Sequence, residues 1–251
     1  MKSGRTAYDE YEDKSLDVKG EVTEYVLPKH FKNLHYCTFV ALPGKTPIDL
    51  PLLYQRGIIN DTTSVECVYD LGKADMSGEM ELKKVSLEVN LTRHLVKKGV
   101  NEKFIKGCLH YNYCDVRDYL PRNSVHAMYI DTCSKYDYTF PEWLRKIDKT
   151  VVRGATVIFN FAFHCYKSHR LCFPPNEKTK CEFRMFNWKP EMEADRRREL
   201  SIAANDFLQV VNKGKKRYEL LELVSYRNSI DGDTDERRQC CPMGIMVFRK
   251  K

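Results

Sequence analysis

No stretch of the chain is apolar over the ~20 residues that a bilayer helix needs, so the sequence offers no candidate membrane span. The opening "MKSGRTAYDEYEDK" is charged throughout and lacks the apolar segment of a secretory signal. Among ten cysteines there is no C-x-x-C pair, and there is no internal repeat or low-complexity tract. No G-x-G-x-x-G follows the first strand-like run, which weakens the case for a nicotinamide oxidoreductase. These absences point to an intracellular, cytoplasmic protein with reduced thiols. Cys67, Cys108 and Cys114 lie in apolar runs, where a thiol acts as a small hydrophobe.

What is present suits a packed α/β domain. The 251 residues are 42% hydrophobic, with fifteen tyrosines and twelve phenylalanines, enough for one shared core. The formal charge is +7, with basic clusters at Arg196–Arg198, Lys213–Arg217 and Arg249–Lys251. Such a surplus is compatible with a polyanionic partner, here a nucleic acid, or with a merely solvated basic face.

Residues 1–34 read as an N-terminal extension and 35–251 as the main domain. The runs "HYCTFVAL", "SVECVYD", "CLHYNYCD", "SVHAMYID", "ATVIFNFAF", "YELLELVSY" and "GIMVFRK" predict seven strands. Between them, "DLPLLYQRGII" predicts a helix with Pro51 in its first turn, and "PEWLRKIDKTV" predicts another. "EMELKKVSLEVNLTRHLVKKG" has helical spacing at Leu82, Val85, Val89, Leu95 and Val96, closed by Gly99. "EMEADRRRELSIAANDFLQVVNKG" is the clearest helix, closed by Gly214. Strands alternating with helices predict a doubly wound, mostly parallel sheet of seven strands. The last two strands, joined by a loop alone, should form a C-terminal antiparallel hairpin. The stretch 164–190 reads as a long irregular loop, a possible substrate-binding insertion.

Three acids end predicted strands: Asp70, Asp115 and Asp131. In an open parallel sheet, ligands bind outside the carboxyl ends of the strands. A carboxylate there is costly to desolvate unless a ligand supplies donors. The other reading is that each aspartate caps the segment that follows.

With the terminal hairpin, "ALPGKTPID" after strand one, Asp70 after strand two, "CDVRDYL" after strand three and "IDTC" after strand four, residues 35–251 resemble class I S-adenosylmethionine-dependent methyltransferases. The resemblance implies a Rossmann-like fold, S-adenosylmethionine as cofactor, and methyl transfer, with a nucleic acid as the expected substrate. It implies that Leu42, Pro43 and Gly44 approach the methionine part of the cofactor. Asp70 would hold its ribose, Asp115 with Val116 its adenine, and Asp131 would line the methyl-transfer position as the catalytic residue. Gly44 is the one glycine in that first loop, so a second reading stays open: a binding protein of the same fold without catalysis.

The acceptor atom is not readable. "DTCS" is not the Asn/Asp-Pro-Pro-aromatic loop of amine-modifying enzymes, and "FPPN" at 173–176 follows strand five. Cys133 lacks the preceding proline of cytosine-5 enzymes. A Lys-Asp-Lys-Glu set like that of ribose 2′-O enzymes can be assembled from Lys32, Asp131, Lys167 and Glu222. His164, Cys165, His169, Cys172 and Cys181 match no paired-ligand spacing, so no metal site is expected. "DGDTDE" reads as a solvated hairpin tip rather than a calcium loop. Phe183, Phe186, Trp188, Arg184 and Lys180 form an aromatic-basic mix suited to stacking bases, or to covering a sheet edge.

Overall fold

A computed structural model of the chain describes residues 16–43, 47–69, 77–135, 139–162, 181–227 and 242–251. Its strands follow the order β3-β2-β1-β4-β5-β8-β7-β6 in one eight-stranded sheet. The chain packs as two compact units. One comprises 23–130 and 147–156, the other 1–22, 131–146 and 157–251. Among the described residues, no helix is long and apolar enough to cross a membrane.

The first unit is built around β1 (Thr38–Ala41), whose four side chains are all buried. It pairs in parallel with β2 (Ser64–Tyr69) and with β4 (Val125–Lys135), so that Phe39 lies beside Val65 and Ala127. Burial on both faces is what a short apolar run in a parallel sheet achieves. β3 (Leu109–Tyr113) extends the sheet in parallel beyond β2. The helix α1 (Leu16–His30) begins within the predicted extension, and Phe31 just after it packs edge-on against Phe39 at 5.5 Å. Pro51 lies in the first turn of α2 (Asp49–Gln55), where its missing N–H breaks no intrahelical bond.

Helix α3 (Ser77–Lys97) stands where the periodicity places it, with Gly99 at φ +79° just beyond its end. The face it buries differs from expectation. Leu95 is in the core as expected, but its companions there are Leu87 and Leu91, whereas Leu82 is 73% and Val85 58% exposed, with Val89 and Val96 outside as well. Two tyrosines on β3 fix this rotation. Tyr113 hydrogen-bonds Glu88, and Tyr111 hydrogen-bonds Thr92, so the helix turns Glu88, Thr92 and the intervening Leu91 toward the strand. A short helix that the sequence reading did not anticipate, α4 (Glu102–Cys108), follows. Asn101 caps it by accepting from the Lys103 amide at 2.8 Å.

In the second unit β7 (Tyr218–Arg227) and β8 (Pro242–Lys250) form the expected antiparallel pair, with one bulge at Leu220/Glu222. An additional strand, β6 (Glu182–Phe186), pairs in parallel with β7 and brings the count to eight. It arises inside the stretch read as irregular. The core of this unit is a run of aromatic rings: Phe140 of α5 (Thr139–Lys146), Phe159 of β5 (Val151–Ala162), Phe207 of α6 (Glu193–Val211) and Phe248 of β8. Successive centroids lie 6.1, 4.9 and 4.6 Å apart. Such spacings add specific ring contacts to the burial of large side chains.

Two strand ends depart from the sequence reading. β3 stops at Tyr113, so Asp115 lies two residues past it, in a turn. β4 continues to Lys135, so Asp131 lies inside the strand and does not terminate it. The continuation is held by Thr132, whose hydroxyl donates to the backbone carbonyl of Asn160 at 3.2 Å.

Candidate functional site

Asp131, Asn160, Tyr226 and Lys19 come together within one unit. They arrive from β4, β5, β7 and α1. The Lys19 ammonium lies 2.6 Å from Asp131 Oδ2. The amide nitrogen of Asn160 donates to Asp131 Oδ1 at 3.0 Å and to the Tyr226 hydroxyl at 2.8 Å. The hydroxyl in turn donates to Asn160 Oδ1 at 3.0 Å. Asn160 and Tyr226 are fully buried, while the Asp131 side chain keeps 12% of its surface and that of Lys19 19%. A buried amide needs all its partners, and here the carboxylate and the phenol supply them. Asp131 is thus held at both oxygens yet still reachable, and each oxygen has a second lone pair for an incoming donor.

The other candidate residues lie in the first unit. Leu42 is half-buried, its N–H donating to the Tyr129 carbonyl at 3.3 Å, and Pro43 is buried. Gly44 and Asp70 lie outside the described residues. Asp115 starts a tight turn: its carbonyl accepts from the amides of Asp118 and Tyr119, and its Oδ1 from the Arg117 amide at 2.8 Å. The Arg117 guanidinium closes on the same carboxylate, Nε reaching Oδ1 at 2.8 Å and Oδ2 at 3.0 Å, with Nη2 also on Oδ2. These side-chain bonds hold the Asp115 carboxyl below the usual range, against the opposing effect of partial burial. Val116 beside it is buried.

Two of the acids that the sequence reading assigns to a ligand's donors therefore have donors within the chain, Arg117 for Asp115 and Lys19 for Asp131. An adenine amine at Asp115 would have to displace Arg117, whose side chain is 41% exposed.

On the same unit's sheet, Tyr69, Tyr111 and Tyr113 share one face, with Tyr69 stacked between the other two at 6.3 and 6.2 Å. Burial pushes the Tyr111 phenol up to about 12 and that of Tyr113 higher still, helped there by the Glu88 carboxylate. Glu66 projects from the opposite face and accepts from Asn112 at 2.8 Å and from Tyr119, whose phenol is raised first by burial and then by that carboxylate.

Of the Lys-Asp-Lys-Glu assembly, Lys32 is engaged elsewhere, donating to the Pro28 carbonyl at 2.8 Å. Lys167 is outside the described residues, and Glu222 is buried in β7. The lysine on Asp131 is Lys19, which the sequence reading missed. No local pattern marks it, since the two residues are brought together only by the fold. Of the His/Cys group only Cys181 is described, and burial raises its thiol. No cluster of metal-ligating side chains occurs among the described residues. Two rings of the aromatic-basic mix are covered by arginines from outside it. Arg196 lies 4.9 Å over the Trp188 ring, Arg227 6.0 Å from it, and Arg197 6.0 Å over Phe183. Lys180 and the "DGDTDE" and "FPPN" segments fall outside the described residues.

No protein-family model matches the chain, and no curated protein is significantly similar to it. Solved structures are. SMU.776, described as "a putative methyltransferase complexed with SAH", is 12% identical over 93% of this chain and 49% of its own, with a TM-score of 0.51. A protein of Streptococcus mutans described as "a putative sam-dependent methyltransferase" is 11% identical over 91% of this chain and 48% of its own, at 0.50. A Clostridium thermocellum protein described as a "putative rRNA-methylase" is 13% identical over 96% of this chain and 98% of its own, at 0.46. The chain spans about half the length of the first two. With the strand order β3-β2-β1-β4-β5, parallel from β3 to β4, and the reversed last strand, the likeness to the first two shows that the chain has the Rossmann-like fold of class I S-adenosylmethionine-dependent methyltransferases.

Proposed function

We propose that the protein is an S-adenosylmethionine-dependent methyltransferase acting on a nucleic acid. The observation that carries the reading is Asp131, a reachable carboxylate fixed by Lys19 and by the fully buried Asn160–Tyr226 pair. A carboxylate immobilised in this way presents a defined acceptor to an N–H or O–H. Leu42, Pro43 and Gly44 would approach the methionine part of the cofactor, Asp70 its ribose, and Asp115 with Val116 its adenine. The cofactor supplies an electrophilic methyl group. Asp131 would orient the acceptor's hydrogen so that the heteroatom's lone pair is free to bond, and would take up the proton that the acceptor releases on gaining the methyl group, the cofactor leaving as the neutral thioether. Lys19 keeps the carboxylate in place. The stretch 164–190 serves as the substrate-binding insertion.

A second reading, a binding protein of this fold without catalysis, is favoured by the closed Asp115–Arg117 pair and by the single glycine of the first loop. Calorimetric titration with S-adenosylmethionine separates the two. The first expects saturable heat in the native chain, lost in Asp70→Ala, and transfer of labelled methyl to RNA or DNA, lost in Asp131→Asn with heat retained. Absence of heat at millimolar cofactor leaves the second reading.

A further inference from the structure

Two of the three basic clusters in the sequence are a single surface in the fold. The antiparallel pairing sets Tyr218 opposite Lys250 and Glu219 opposite Arg249. The turn that carries Lys213, Lys215, Lys216 and Arg217 therefore lies against the end of β8 with Arg249, Lys250 and Lys251. The Lys251 amide donates to the Arg217 carbonyl at 2.7 Å. Among the described side chains of this surface the one acid is Glu219, paired with Lys251 at 2.8 Å. Its carboxyl is held down by that hydrogen bond, with Arg249 and Lys216 also close enough to contribute. Seven cations less one carboxylate leave +6, nearly all of the chain's +7.

The turn is not a loose charge run. Asn212 clamps it, its Oδ1 accepting from the Arg217 and Tyr218 amides at 2.7 Å each and its Nδ2 donating to the Tyr218 carbonyl at 2.9 Å. The Lys215 amide returns to the Asn212 carbonyl at 3.0 Å, and Gly214 takes φ +84°, a reversal that suits glycine. Lys213, Lys215, Lys216 and Arg249 are exposed, and among the described residues no ion pair engages them. Eight residues of β7 separate this surface from Tyr226 and the Asp131 cluster, about 26 Å at ~3.3 Å per residue.

We infer that this surface is an anchoring site for the phosphate backbone of a nucleic acid, remote from the candidate methyl-transfer position. A fixed array of ammonium and guanidinium groups with almost no competing carboxylate matches a polyanion of regular charge spacing, and bonds to phosphates set position without reading bases. The separation corresponds to about eight base pairs at ~3.4 Å each. The anchor therefore selects an extended polymer over a nucleotide or a short oligomer. The inference names the partner of the function proposed above, but its binding step does not depend on methyl transfer.

Fluorescence anisotropy with labelled 30-nucleotide single-stranded RNA and DNA, at several salt concentrations and without cofactor, tests it on the full chain. The comparison is between Lys213→Gln/Lys215→Gln/Lys216→Gln and a control of equal charge loss elsewhere, Lys83→Gln/Lys97→Gln/Lys146→Gln. All six lysines are exposed, and circular dichroism melting checks that both variants fold. The anchor variant should bind about tenfold or more weakly near 0.1 M salt. Its plot of log affinity against log salt should be shallower by about 2, at ~0.7 for each single-strand phosphate that the three lysines no longer neutralise. The control should keep the native slope. Equal effects in both variants, no effect in either, or binding to anionic phospholipid vesicles without binding to RNA or DNA would overturn the inference. Cofactor heat is measured separately. Its absence with anchor-dependent RNA binding sinks the methyltransferase reading alone, and its presence with an unchanged anchor variant sinks the anchor alone.

Discussion

Lys19 and Asp131 meet at 2.6 Å, which ties the first helix to the fourth strand through a pair that is mostly withdrawn from water. A fully exposed pair contributes ~0–1 kcal/mol, and breaking a fully buried one costs about 3–5 kcal/mol. This one stands between. Lys19→Met should destabilise by about 1–3 kcal/mol in urea titration. A double-mutant cycle with Asp131→Asn should return a coupling near ~1 kcal/mol. A coupling near zero would show that Lys19 merely lies close. Tyr226→Phe, which removes one buried hydroxyl from the same cluster, should cost a further ~1 kcal/mol.

Two aliphatic stripes run along α3, and only one is buried. Leu91→Ala should cost about 2–5 kcal/mol through the cavity it leaves. Leu82→Ala, at 73% exposure, should change stability by less than about 0.5 kcal/mol. Urea midpoints for the two variants check the rotation of the helix directly, since the reverse ranking would put Leu82 inside.

Arg117 depresses the Asp115 carboxyl, chiefly through its side-chain hydrogen bonds. A carboxyl lowered on folding contributes stability that is present above its unfolded value, near ~3.9, and lost as pH falls through the folded one. Urea unfolding should find Arg117→Ala less stable than the native chain at neutral pH, with the gap closing in the acid range below pH ~4. A gap that widened with acidification would contradict the assignment.

The tyrosine stack gives the alkaline counterpart. Tyr111 is raised to about 12, by burial above all, and Tyr113 further, by burial and then Glu88. A phenol raised on folding contributes stability that is fully present below the unfolded value, ~10, and lost as pH climbs through the folded one. Ultraviolet titration should therefore show Tyr111 and Tyr113, together with Tyr119, among the phenols that ionise late, and a fall in stability between about pH 10 and 12. In Glu88→Gln, Tyr113 should titrate earlier while Tyr111 moves less.

Seven strands and their mostly parallel sheet were legible because buried parallel strands write themselves as short apolar runs, "CTFVA" and "VIFNF" among them, and the final hairpin because no helix pattern separates its strands. Helix rotation was not legible. Leu95 was on the expected face, but Leu87 and Leu91 share the helical period with Leu82, Val85 and Val89, and the partners of Tyr111 and Tyr113 decide between them. β6 was missed although "EFRMF" alternates, because a five-residue edge strand carries too little signal against its aromatic surroundings. The surroundings of the candidate Asp131 were less legible. The sequence places this acid at a strand end, whereas Thr132 and Asn160 hold β4 onward by a long-range bond. Lys19 could not be found from pattern at all. The counter-cations of Asp115 and Asp131 come from a neighbouring turn and a distant helix, and no spacing in the sequence announces either.

β6 has a consequence for how the molecule behaves in a crowded solution. It stands outermost in the strand order, five residues long, with Glu182 and Arg184 exposed. Behind it runs β7, ten residues long and buried from Leu223 to Tyr226. A short charged border is a poor template for recruiting a stray chain, whereas a long greasy one invites it. The extra strand thus works as a bumper, and a homologue trimmed of it would have to find another way to keep its copies apart.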